Sequence, residues 1–112
     1  EVAKDVLKDI FNQFKHINVS IDYIVRAVSD YFKVSTNDIK GKKRSKKVVF
    51  PRQVAMYIAR QVTEYSTTEL GIEFGGRDHT TVMHSVQKID ELIKLDPALK
   101  TIIEKIIQNI KT

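Results

Sequence analysis

Between residues 74 and 84 the chain reads FGGRDHTTVMH. Gly75 and Gly76 supply the backbone freedom of a tight turn. Asp78, His79, Thr80 and Thr81 then put an acid, an imidazole and two hydroxyls in the first turn of what the later periodicity makes a helix. None of these side chains suits burial. All can exchange hydrogen bonds with a nucleic acid. A carboxylate accepts from cytosine N4, and threonine offers a hydroxyl to phosphate or base and a methyl to thymine. A helix start adds unpaired N–H groups and the positive end of its dipole, which favour a phosphate. Asp78 also reads as a plain N-cap, and the two roles are compatible. His79 and His84 also read as exposed or partly packed histidines. They stand five apart rather than four and lack a third ligand, so no metal site is expected.

The second chemical feature is a basic run. Six of the eight residues 40–47 are cationic: Lys40, Lys42, Lys43, Arg44, Lys46 and Lys47. The formal net charge is +5, so the rest of the chain sums to −1 and the positive field is local. Local fields of this kind suit a polyanion docking in one place. Arg44 has the chemistry to enter a narrow, A·T-rich minor groove. The run also matches a nuclear-localisation-like segment, a common and weakly specific pattern, and can be a solvated loop at the cost of self-repulsion.

Something must hold these residues. With 112 residues, four Gly and two Pro, and no sustained alternation, the chain reads as one all-α domain of about six helices. Residues 1–16 form an amphipathic helix through Leu7, Ile10, Phe11, Phe14 and Ile17. Ser20 caps a second, about 21–32. A short capped turn of helix follows at Ser35, Thr36, Asn37 and Asp38. The basic segment 40–47 reads as a loop, and Pro51 as the first residue of a helix ending near Tyr65, with Val54, Ala55, Ile58, Ala59 and Val62 buried. Ser66 and Glu69 have capping-box spacing for a short helix over 67–73. Val82, Val86, Ile89 and Ile93 form the core face of the next helix, and Thr81, Ser85 and Lys88 a polar ridge away from it. Asp96 and Pro97 start a last helix with an Ile-rich stripe. Short helix, glycine turn and longer helix make a helix-turn-helix, whose second helix presents its N-terminal residues to base edges in the major groove.

Several classes fall away. There is no cysteine, hence no disulfide frame or thiolate metal site; that fits a cytoplasmic protein. The apolar runs are too short to span a membrane, and no signal peptide is evident. Gly75 and Gly76 lack the Gly-Lys-Ser/Thr of a phosphate-binding loop, and no catalytic spacing is persuasive, so no enzyme is expected. Lys4, Lys8 and Lys15 give helix 1–16 a possible acidic-phospholipid face, diluted by Asp5 and Asp9. Two rival readings are a dimeric helix-turn-helix transcription regulator on palindromic operator DNA and a helical adaptor whose basic loop binds acidic proteins or lipid.

The residues PRQVAMY at 51–57, Glu69, Leu70 and Gly71, and the whole segment 74–84 closely resemble the C-terminal DNA-binding domain of the DnaA family, the bacterial initiators of chromosome replication. The resemblance covers about residues 19–95. It implies a Trp-repressor-like helix-turn-helix domain over 19–112, reached through a connecting helix at 1–18 from an ATPase module that this chain lacks. ATP would belong to that module, and this fragment would use no cofactor. The chain begins at Glu1 and is expected to be a piece of a longer protein. The implied partner is double-stranded DNA carrying a DnaA box, bound by a monomer at the nucleoid. By the same resemblance Arg44 reads the minor groove, and Asp78, His79 and Thr80 read bases. Arg77, Thr81, His84, Gln53 and Ser45 match positions near backbone or bases. Lys42, Lys43, Lys46, Arg52 and Lys88 are looser phosphate candidates. The family often carries Leu-Pro where this chain has Thr67 and Thr68, whose hydroxyls can bond phosphate instead.

Overall fold

The computed structural model describes residues 6–15 and 19–110. Ile17, Lys4 and Asp5 lie outside them. Among the described residues there are seven α-helices and no strand: α1 (Val6–Lys15), α2 (Ile21–Phe32), α3 (Thr36–Lys40), α4 (Lys46–Val62), α5 (Thr67–Glu73), α6 (His79–Leu95) and α7 (Pro97–Gln108).

Most helix starts follow the polar residues that nominate them. Ser20, Ser35, Ser66, Asp78 and Asp96 each accept a first-turn backbone N–H through a side-chain oxygen, satisfying one of the donors every helix start leaves open. Ser66 and Glu69 close a full capping box.

The centre of the domain is α4, which packs against every other helix. Val54, Ala55, Met56, Tyr57, Ile58 and Ala59 are all buried. Six consecutive buried residues span more than a turn, so this helix is covered all round rather than along one stripe. Leu7 and Phe11 seal α1 onto the core, with the Phe11 ring edge-on to Tyr57 at 5.8 Å. The apolar face of α1 is thereby occupied, and its exposed residues include Lys8, Asp9 and Lys15. Leu99, Ile103, Ile106, Ile107 and Ile110 close the far side as expected of the Ile-rich stripe.

Three expectations need correction. First, α4 starts at Lys46, so only residues 41–45 form the basic loop; Lys40 ends α3, and Lys46 and Lys47 are helical. Second, Pro51 sits inside α4, not at its start, and Val48, Val49 and Phe50 are helical. A proline there removes one bond to the carbonyl four residues earlier. That residue is Lys47, which is exposed, so water can take the bond. The helix also stops at Val62, short of Tyr65, because the Thr63 hydroxyl donates to the Ala59 carbonyl at 2.6 Å and then accepts from the Tyr65 N–H at 3.2 Å. Third, Ser85 is buried (8% exposed) between Val82 and Ile89 on the core face of α6, so no continuous polar ridge runs from Thr81 to Lys88.

Candidate nucleic-acid interface

The turn between α5 and α6 is built by close approach. The Arg77 N–H donates to the Gly71 carbonyl at 2.8 Å, and a Cβ on Gly71 would lie 2.0 Å from the Arg77 carbonyl oxygen. Gly71 thus lets the turn fold back onto α5. Gly75 and Gly76 both take positive φ (87° and 77°), the region where other residues are strained. Below the turn, Leu70, Phe74, Val82 and Ile89 are wholly buried and fix α5 and α6 to α4.

Above it, Asp78, His79, Thr80, Thr81, His84 and Lys88 are all exposed. The Thr81 N–H donates to Asp78 Oδ1 at 2.9 Å. Hydrogen bonds from Thr81, with lesser attraction from His79 and His84, hold the Asp78 carboxyl below its ordinary range. Asp78 is therefore a cap in this structure, and its carboxylate keeps acceptor capacity beyond that one bond.

The basic loop lies against the same turn. A Cβ on Gly75 would come within 2.8 Å of the Lys40 carbonyl and 3.3 Å of the Gly41 carbonyl. Burial first, and the nearby Arg44 charge second, lower the Arg77 pKa from its ordinary value. The start of α6 and the loop's central arginine therefore share one face. Lys42, Lys43, Arg44, Ser45 and Lys46 are exposed. Thr68 at the start of α5 is exposed and Thr67 half-buried.

Several of the cations already have partners within the fold. Lys40 bridges Asp22 of α2 (3.1 Å) and Glu73 of α5 (3.8 Å), tying the HTH to the rest of the fold. Lys43 lies 3.5 Å from Asp38. Arg77 Nη1 donates to the Phe74 carbonyl across the turn.

Arg52 departs most from its sequence reading. It is 4% exposed, with Nε donating to the Ile39 carbonyl at 2.8 Å and Nη2 to the Asp38 carbonyl at 2.7 Å. Burial and the Arg77 charge lower its pKa, opposed by Asp38. Arg52 thus anchors the end of α3, from which the loop departs, instead of pointing at a phosphate. Nothing in its spacing signals this role. Gly71 was detectable as a glycine inside a helical pattern. Gln53, next to Arg52 in the chain, is half-buried, with Oε1 enclosed and no hydrogen-bond partner. Among the described residues no group of three or more His, Cys, Asp or Glu could hold a metal ion, and no helix is long and apolar enough to cross a membrane.

A capped short helix, a glycine turn and a second helix offering its polar first turn beside a cationic loop define a helix-turn-helix domain. The chain belongs to the family described as "Bacterial dnaA protein helix-turn-helix", whose profile matches residues 21–89. It is 54% identical over 109 residues to the chromosomal replication initiator protein DnaA of Treponema denticola, covering 97% of this chain and 23% of that protein. It is 46% identical over 100 residues to the same-named protein of Treponema pallidum subsp. pallidum, covering 89% of this chain and 22% of the relative. The chain thus spans under a quarter of the length of these curated relatives.

Proposed function

We propose that this domain binds duplex DNA sequence-specifically at DnaA boxes, to place an initiator at the replication origin. The observation that carries the reading is the shared face: Asp78, His79, Thr80 and Thr81 stand exposed at the start of α6, beside the turn that abuts the basic loop. The first turn of α6 enters the major groove, where Asp78, His79 and Thr80 meet base edges. Arg44 reaches into the adjacent minor groove, where the potential is most negative. Lys42, Lys43, Ser45, Lys46, Gln53, Thr67, Thr68, Arg77, Thr81, His84 and Lys88 are the proposed backbone or mixed contacts; they set register while few side chains specify. The domain acts as a monomer on a non-palindromic site.

The test is binding to a box duplex and a scrambled duplex across a salt series. Neutralising about six phosphates gives a slope of log K on log salt of about −5. The box duplex is expected to bind far tighter, in a 1:1 complex. Equal affinity for both duplexes, or a dimer on a palindrome, would sink the reading.

A further inference from the structure

A second surface lies off the base-reading helix, where the end of α2 meets the start of α4. Phe32, Val34, Phe50 and Pro51 line a pocket of about 430 Å³ there. Lys33, Lys46 and Lys47 form its remaining wall, and no acidic side chain lines it. None of the three lysines takes part in an ion pair among the described residues. The backbone concentrates this charge. Lys33 takes a left-handed conformation (φ 59°), and Lys46 and Lys47 occupy the first turn of α4. That turn has no acidic residue and no side-chain cap, since Ser45 contributes only its carbonyl, to Val48 and Val49. The positive end of the α4 dipole therefore adds to the lysines.

We infer that this pocket docks an acidic segment of a partner protein that carries one apolar anchor residue: the anchor packs onto the floor made by Phe32, Val34, Phe50 and Pro51, and flanking carboxylates meet Lys33, Lys46 and Lys47. Charge complementarity selects an acidic occupant, and the apolar floor selects against a bare polyanion. A sugar–phosphate backbone gains nothing from Phe32, Val34 and Phe50. Phe32 meets Phe50 edge-on (5.9 Å, 89°) and Tyr31 meets Phe32 edge-on (5.1 Å, 76°), so the rings pack as one apolar cluster. A single buried side chain ringed by ion pairs is the usual anatomy of a short-motif site.

The test uses an acetylated, amidated peptide with one central phenylalanine between aspartates and glutamates, titrated into the isotopically labelled domain by NMR. Saturable shifts are expected at the backbone amides of Phe32, Lys33, Val34 and Phe50. The Lys33→Glu, Lys47→Glu double variant is expected to keep native helicity and bind about tenfold more weakly, the scale of two reversed surface charges. Phe50→Ala is expected to lose binding as well. Should that variant unfold, the lysine variant and a control peptide with glycine for phenylalanine still decide the matter. The inference is overturned if the control peptide binds equally well, or if the shifts map instead to residues 78–84. It is also overturned if single-stranded oligothymidylate or phosphatidylglycerol vesicles perturb the pocket while the peptide does not.

Discussion

Replacing Gly71 by alanine sets two effects of known size against each other. Gly71 lies within α5, and by helix propensity alone an alanine there would stabilise by up to about 1 kcal/mol. The added Cβ, however, would stand 2.0 Å from the Arg77 carbonyl oxygen, a backbone atom with no rotamer to escape into. An ordinary C···O approach is about 3.4 Å, so the turn must retreat by more than 1 Å. That retreat breaks the Arg77 N–H to Gly71 bond, worth about 1 kcal/mol net, and adds an overpacking cost of about 1–3 kcal/mol. Sterics win, and the net loss is about 1–3 kcal/mol, or roughly 4–13 °C in Tm for a domain of this size. Box affinity is expected to fall as well, because the first turn of α6 moves with the turn. Gly76→Ala is the control: it meets nothing within 4 Å and carries only the positive-φ penalty of about 1–2 kcal/mol. Thermal unfolding and box-duplex binding of both variants decide it. A Gly71→Ala protein as stable as the parent, or more so, would refute the steric argument.

Other outcomes follow from the same geometry. Arg44→Ala and Thr80→Ala should each cost about 1–3 kcal/mol of discrimination between box and scrambled duplex, while Lys46→Ala should weaken both similarly; equal losses on both duplexes for Thr80→Ala would remove it from base reading. Arg52→Met should lower stability by about 3 kcal/mol in urea unfolding, because two carbonyls lose charged donors; an unchanged midpoint would refute its anchoring role. The Asp78 and Glu69 carboxyls are both held below their ordinary values, chiefly by hydrogen bonds from Thr81 and Ser66. Lowered folded values mean their contribution is complete above the unfolded carboxylate range, about pH 4, and fades as pH falls through the depressed values. The parent should therefore lose more stability than Asp78→Asn or Glu69→Gln between pH 7 and pH 3; parallel pH profiles would count against the caps.

What the sequence made legible was whatever depends on neighbours in the chain. Ser20, Ser35, Ser66, Asp78 and Asp96 cap their helices because capping is settled within four residues. The glycine turn and the exposed quartet after it were likewise local. Contacts between distant segments were not. Pro51 reads as a helix start until packing around α4 carries the helix five residues further back. Ser85 reads as surface by type, yet Val82 and Ile89 on either side take it inward. Arg52 reads as a phosphate ligand because charge is usually exposed; only the fold brings the Asp38 and Ile39 carbonyls within its reach. Lys40 reads as part of the loop's charge, but its partners Asp22 and Glu73 come from helices far apart in sequence.

Burial first, and then a neighbouring arginine's charge, lowers the proton affinity of two guanidinium groups: Arg44 acts on Arg77, and Arg77 on Arg52. Like charges so placed repel one another while no polyanion is docked. The unliganded domain should accordingly gain stability as moderate salt screens that repulsion, even as the same salt drives DNA away. Added salt would then raise the melting temperature of the free domain while eroding the extra stability that bound DNA confers.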